Sequence, residues 1–274
     1  MSNLALRLAT AVVAVPLILW LLYRGPAWGF YALVLPAALV GSYELFAMSH
    51  PGDRVSQATG VALSAVLSLA LYAFTSDARV VITVLAVVPP LGLLLTLARL
   101  GDIRTAAFRA FAMGVAPLLV AVPLTLLALL RRDMGSDGAS YVVMTLMFAW
   151  FSDTGGYFAG RFLGKHKLYE AVSPKKTVEG ALGGLAGSVI GALLAHFWYL
   201  PSIPLVHAIV LALLAGALGQ AGDLGESLVK RSTGVKDSGQ IVPGHGGVLD
   251  RVDALLLTSA VVYLYTLWFR TPTV

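Results

Sequence analysis

Residues Val235–Asp253 read VKDSGQIVPGHGGVLDRVD, and Ala254–Phe269 continue without a break as ALLLTSAVVYLYTLWF. The second piece has no charged residue and is too long for a buried strand, so it reads as a membrane helix. The first piece carries three aspartates, one lysine, one arginine, one histidine and four glycines. Polar, bendable backbone is tolerated beside a membrane only where it meets water or protein. The junction therefore sets Asp250, Arg251 and Asp253 at the membrane surface.

The rest of the chain agrees with this reading. Of 274 residues, 58% are hydrophobic and 12% charged, with a mean hydropathy of +0.84. A water-soluble domain carries about 25% charged residues. The apolar runs are near the ~20 residues that cross a bilayer as helix, and period-2 alternation of the barrel kind is absent. The fold class expected is all-α: a polytopic helical membrane protein with active-site loops on the cytoplasmic side. The chain lacks cysteine, which excludes thiol nucleophiles and cysteine–zinc sites.

Nine spans are predicted, over 4–23, 27–48, 57–75, 79–98, 106–130, 139–160, 180–200, 204–226 and 253–269. The first, LALRLATAVVAVPLILWLLY, exceeds a signal-peptide core and lacks a small-x-small cleavage site, so it reads as a retained span. The third and fourth lie close enough in sequence to pack as a hairpin. Alternating the loops puts 14 Lys and Arg on one side and five on the other, and the richer side is expected to face the cytoplasm. Residues 1–138 read as scaffold; among their acids, Glu44 alone lies well inside an apolar run. Residues 139–274 hold both long polar loops and read as the catalytic region of one integral membrane unit.

In SDTGGYFAGRFLGKHKLYEAVSPKKTVEGALGG, Ser152–Gly184, Asp153 lies near the middle of the sixth apolar run. An acid so deep is either paired structurally or functional. Gly156, Gly160 and Gly164 recur every four residues, a spacing for close helix packing. Ser173–Pro174 has the form of an N-cap and N1 pair, so a helix is expected to start there. Its free N–H groups, with Ser173, Lys175, Lys176 and Thr177, would seat a phosphate; the alternative is an ordinary basic loop. Glu179 would cap, bind metal or pair with a lysine.

In GQAGDLGESLVKR, Gly219–Arg231, Asp223, Glu226 and Lys230 share one helix face. An ion-pair ladder is one reading. The other joins Asp223 and Glu226 to Asp250 and Asp253 as an oxygen-rich pocket for a hard divalent cation. His245 is open to three readings: phosphate donor, general base or structural residue. Acids for a metal, with bases for phosphates, suit phosphoryl or nucleotidyl transfer. Walker-type phosphate loops, H-E-x-x-H and G-x-S-x-G are all missing.

SLVKRSTGVKDSGQIVPGHGGVLDRVD, Ser227–Asp253, closely resembles the signature of phosphatidate cytidylyltransferases, and Ser152–Gly184 is similar to a second block of that family. The resemblance implies CMP transfer from CTP to phosphatidic acid, giving CDP-diacylglycerol and pyrophosphate, with Mg²⁺ as cofactor. It implies Asp223 and Asp250 as the main metal acids, with Asp153 and Asp253 near them. Ser173, Lys175, Lys176 and Thr177 would hold CTP or lipid phosphate, with Glu179 and His245 beside these contacts. Lys230, Arg231, Lys236 and Arg251 would neutralise phosphates, Lys230 and Arg251 as part of the catalytic set. The partners implied are CTP, phosphatidic acid, the bilayer of the inner membrane and a second copy as homodimer, but no nucleic acid. The glycine row Gly183, Gly187 and Gly191 would allow that dimer. Gly156, Gln240 and Ala254 depart from the alanine, histidine and serine of the family pattern. Two rivals remain: a cytidylyltransferase acting on another lipid phosphate, and a cation-coupled transporter using Asp153, Asp223 and Glu226.

Overall fold

A computed structural model describes residues 15–241 and 246–269. His245, Arg7, Arg270 and the start of the expected first span lie outside the described residues. The order is α1 (Val15–Arg24), α2 (Ala27–Ser49), α3 (Arg54–Phe74), α4 (Ala78–Ala98), α5 (Ile103–Ala116), α6 (Val122–Asp133) and α7 (Gly138–Leu163). Then come β1 (Lys167–Tyr169), β2 (Ser173–Thr177), α8 (Val178–Leu194), α9 (Leu205–Ser232) and α10 (Leu249–Phe269).

Among the described residues, seven helical segments are long and apolar enough to cross a membrane. One of them, Ile103–Asp133, joins α5 to α6 through a wider π-turn at Pro117–Ala121, where the proline lacks the N–H that a regular turn uses. α7, at 26 residues, is also long enough to span, and it carries Asp153 and Arg161. Exposed side chains such as Ile82, Phe197, Trp198 and Trp268 would be a liability in water and suit hydrocarbon or its interface. The all-α expectation holds apart from one short antiparallel hairpin, β1–β2.

Capping explains many of the boundaries. Asp53 accepts from the Ser56 N–H, Asp77 from Arg79 and Asp102 from Arg104, so three acids of the first half begin α3, α4 and α5. Asp133 pairs with Arg132, and Asp137 accepts from the Ser202 hydroxyl. Glu44, inside α2, starts none of these three helices and is only 2% exposed.

One buried cluster draws Phe46, Leu129, Tyr141, Phe148, Ala212 and Val262 from both halves of the chain. The expected α3–α4 hairpin is only part of the packing there. Leu67, Leu71 and Val88 form a small cluster between the two helices, but the closest backbone approach of α4 is to α5, Gly92 against Gly114. Against the dimer reading of Gly183, Gly187 and Gly191, all three face α7 of the same chain. A homodimer would need another face.

The helix expected to begin at Ser173–Pro174 begins at Val178. Ser173–Thr177 is strand β2, and the capping side chain is Thr177, whose hydroxyl accepts from the Gly180 N–H at 3.1 Å. The reason is local. Glu179 accepts from the N–H groups of Lys165 and His166 at 3.0 and 3.2 Å, and the Val178 N–H donates to the His166 carbonyl at 2.9 Å. The chain is thereby folded back, and the five residues before Val178 pair with β1.

Candidate functional site

The end of α7, strand β2, the start of α8 and the middle of α9 enclose a cleft of about 350 Å³. It is lined by Asp153, Tyr157 and Arg161 from α7, Lys175, Lys176 and Thr177 from β2, and Gln220 and Asp223 from α9. Glycines make the closeness possible. A Cβ at Gly156 would touch the Gly180 carbonyl at 3.3 Å, and one at Gly160 would meet the Thr177 hydroxyl at 3.2 Å. The four-residue glycine spacing is thus used for packing, as expected. Gln220 ties α9 to its neighbours by donating to the Ser152 hydroxyl at 3.3 Å and the Ala181 carbonyl at 3.1 Å.

Inside the cleft Lys176 Nζ pairs with Asp223 at 2.6 Å. Asp153 feels Asp223, Lys176 and Arg251 electrostatically. Asp253 in turn lies beside Asp223 and Glu226. Lys230 then bridges Glu226 at 2.9 Å and Asp250 at 2.6 Å. The side chains of that bridge are 10% exposed at Lys230, 5% at Glu226 and 8% at Asp250. Asp250 also accepts from the Ser238 N–H, the Ser238 hydroxyl and the Gly247 N–H, at 3.0, 2.9 and 2.9 Å.

α9 and α10 carry these acids because of how their ends are built. After α9, Gly234 takes φ +76°, and the Val235 and Gly234 N–H groups bond back to the carbonyls of Lys230 and Arg231. That pairing is a Schellman motif, and it reverses the chain towards Asp250.

The structure thus brings together Asp153, Lys175, Lys176, Thr177 and Asp223 in the cleft, with Asp253, Glu226, Lys230 and Asp250 as a connected chain beside it. Asp223 and Asp250 are each held by a separate lysine and are linked through Asp253 and Glu226. Lys230 is buried between carboxylates and presents no free ammonium to solvent. Glu179 is occupied with the hairpin: besides two N–H groups it meets His166 Nδ1 at 2.6 Å. Ser173 begins β2 and does not line the cleft. Arg231 is exposed and donates to the Val235 carbonyl; Lys236 is exposed as well. Sequence reasoning did not pick out Tyr157, Arg161, Gln220 and Ser238. It noticed Glu44 only as a lone acid in an apolar run.

Carboxylate oxygens are the kind of ligand a hard divalent cation such as Mg²⁺ takes. Five carboxyl groups, from Asp153, Asp223, Glu226, Asp250 and Asp253, lie among the cationic groups of Lys176, Lys230 and Arg251, and Lys175 and Arg161 line the same cleft. Among the described residues no group of three or more His, Cys, Asp or Glu is placed to hold a metal ion. Mg²⁺ does not ask for one, since it ordinarily binds one or two carboxylates and completes its shell with water and substrate phosphates.

Comparisons with known proteins follow the same lines. The family model described as Cytidylyltransferase family matches residues 5–269. A phosphatidate cytidylyltransferase of Brucella suis is 36% identical over 282 aligned residues, covering 100% of this chain and 97% of that protein. Proteins of the same name match over shorter stretches. That of Staphylococcus saprophyticus is 46% identical over 121 residues, 44% of this chain and 46% of the relative. That of Bacillus subtilis is 42% identical over 135 residues, 48% of this chain and 49% of the relative.

Proposed function

Because this chain belongs to the cytidylyltransferase family over nearly all of its length, we propose that it transfers CMP from CTP to phosphatidic acid, releasing pyrophosphate and forming CDP-diacylglycerol. The observation that carries this reading is the cleft: two lysines and a helix-capping threonine face Asp153 and Asp223 among membrane-spanning helices.

An oxygen of the lipid phosphate attacks the α-phosphorus of CTP in line. A new P–O bond forms, the bond from the α-phosphorus to the β-phosphate oxygen breaks, and the electron pair leaves with pyrophosphate. A phosphate monoester has a second pKa of about 6 and is largely dianionic at pH 7. It needs no strong base, so none is assigned. Lys175 and Lys176 hold phosphate oxygens, and the Thr177–Gly180 turn fixes the strand that carries them. Asp223 and Asp250 are the acids that would hold Mg²⁺, with Asp153 and Asp253 close by; the ion, when bound, offsets charge on the phosphates. Arg251, exposed at the start of α10, adds positive charge near Asp153. The lipid enters sideways from the bilayer and CTP enters from water. The positive-inside rule supports a cytoplasmic orientation of the lysine-rich loops.

Incubating the detergent-purified protein with α-labelled CTP, phosphatidic acid and Mg²⁺ is expected to move label into CDP-diacylglycerol. Label appearing only on another lipid phosphate would transfer the reading to a sister activity. Cation flux without turnover would favour a transporter. Lys175→Ala is expected to raise the apparent KM for CTP or phosphatidic acid about 10- to 100-fold, the size of one lost charge-assisted hydrogen bond. An unchanged KM for both would remove Lys175 from phosphate binding.

A further inference from the structure

We infer that Glu44, a buried carboxylate of α2, is a positioning residue that holds Asp250 in its working orientation. This rests on the reading that Asp250 serves cytidylyl transfer. Asp53, Asp77 and Asp102 cap the helices that follow them and Asp133 pairs with the adjacent Arg132, whereas Glu44 reaches across more than 190 residues of sequence. It accepts from the Leu249 N–H at 2.7 Å and the Val248 N–H at 3.0 Å, and it lies 3.1 Å from the Ser238 hydroxyl oxygen, whose one proton is shared with Asp250. The first two are free N–H groups at the start of α10, so Glu44 caps that helix from a different part of the chain.

Ser238 links the two acids. Its hydroxyl lies 3.1 Å from Glu44 and 2.9 Å from Asp250, and its N–H donates to Asp250 at 3.0 Å. Gly247 lies in the same clamp, with its N–H on Asp250 at 2.9 Å. A Cβ at Gly239 would fall 2.5 Å from Glu44, and one at Gly247 would fall 2.1 Å from the Ser238 hydroxyl and 2.5 Å from Glu44. Glycine at both places lets the backbone close around the carboxylate. The contacts orient Asp250 without Glu44 touching substrate, as residues behind metal-binding acids commonly do.

The test compares wild type with Glu44→Gln, Glu44→Asp and Ser238→Ala, all purified in detergent. Two readouts are taken: steady-state kinetics across an Mg²⁺ titration, and the shift in melting temperature on adding Mg²⁺ alone. Glu44→Gln is expected to lower kcat and raise the half-saturating Mg²⁺ concentration, each about 10- to 100-fold. Its KM for phosphatidic acid should stay near wild type, and its Mg²⁺-induced melting shift should shrink. Glu44→Asp, which keeps the carboxylate, should recover part of both. A folded Glu44→Gln with wild-type kcat and Mg²⁺ midpoint overturns the assignment, as does lower stability with an unchanged Mg²⁺ midpoint. If Glu44→Gln does not fold, Ser238→Ala decides: a raised Mg²⁺ midpoint supports the clamp, and wild-type behaviour overturns it. A wild type without CMP transfer sinks the proposed function instead, while the melting comparison still decides the role of Glu44.

Discussion

Asp223→Asn is expected to fold and to lose turnover by about 100- to 1000-fold, the scale seen when one well-placed electrostatic group is removed from a transition state. Asp223 lies in the open cleft, with its side chain 27% exposed and paired to Lys176 at 2.6 Å. An amide of the same shape keeps the packing but cannot balance a cation or hold that lysine. Asp250→Asn should differ in kind. Asp250 closes a buried bridge with Lys230 and Glu226. Breaking a buried pair by removing one partner costs about 3–5 kcal/mol, because the remaining charge stays desolvated. Asp250→Asn should therefore lose both activity and melting temperature. The two variants are separated by kcat measured beside thermal unfolding in detergent. Asp133→Asn, whose acid contacts Arg132 and the Tyr263 hydroxyl away from the cleft, is expected to retain activity. An Asp223→Asn protein with normal turnover would remove Asp223 from the catalytic set.

The helices were legible in the sequence because hydrocarbon imposes one rule, a run of apolar residues of bilayer length. The acids of α9 were legible too, since a helix places Asp223, Glu226 and Lys230 on one face and the observed α9 carries all three. The start of α8 was misread for a reason of scale. Ser173–Pro174 satisfies the local capping pattern, but Glu179 and His166 fold the chain back as a hairpin, and those contacts are set by residues outside the five-residue window. The pairing of each acid was also out of reach. Period gives the face of a helix, but which lysine meets Asp223 or Asp250 depends on how three helices and a hairpin are brought together. Glu44 shows the same limit. A lone acid in an apolar run signals a buried partner, yet nothing in its neighbourhood names Ser238, Val248 or Leu249.

Gly187→Ala is expected to be strongly damaging for the addition of a single methyl group. A Cβ at that position would lie 2.1 Å from the Phe151 carbonyl oxygen and 2.8 Å from its carbon. Both are backbone atoms in the middle of α7, so no side-chain rotation relieves the clash and the two helices must separate. Overpacking a close-fitting interior costs about 1–3 kcal/mol when side chains can shift, and a backbone-to-backbone clash should reach at least the upper end. The displacement acts on the site directly, because Phe151 is two residues from Asp153, and α8 is continuous with the strand that carries Lys176. Gly225→Ala is the matched comparison. That glycine is also in a long helix, but its added Cβ would have nothing within 4 Å, and alanine favours helix over glycine by about 1 kcal/mol. Thermal unfolding in detergent should therefore show Gly225→Ala at or above the wild-type midpoint, and Gly187→Ala well below it with reduced turnover. Equal midpoints for the two would mean that α7 and α8 do not approach as closely as the contact of Gly187 with Phe151 requires, and the cleft built on that approach would lose its frame.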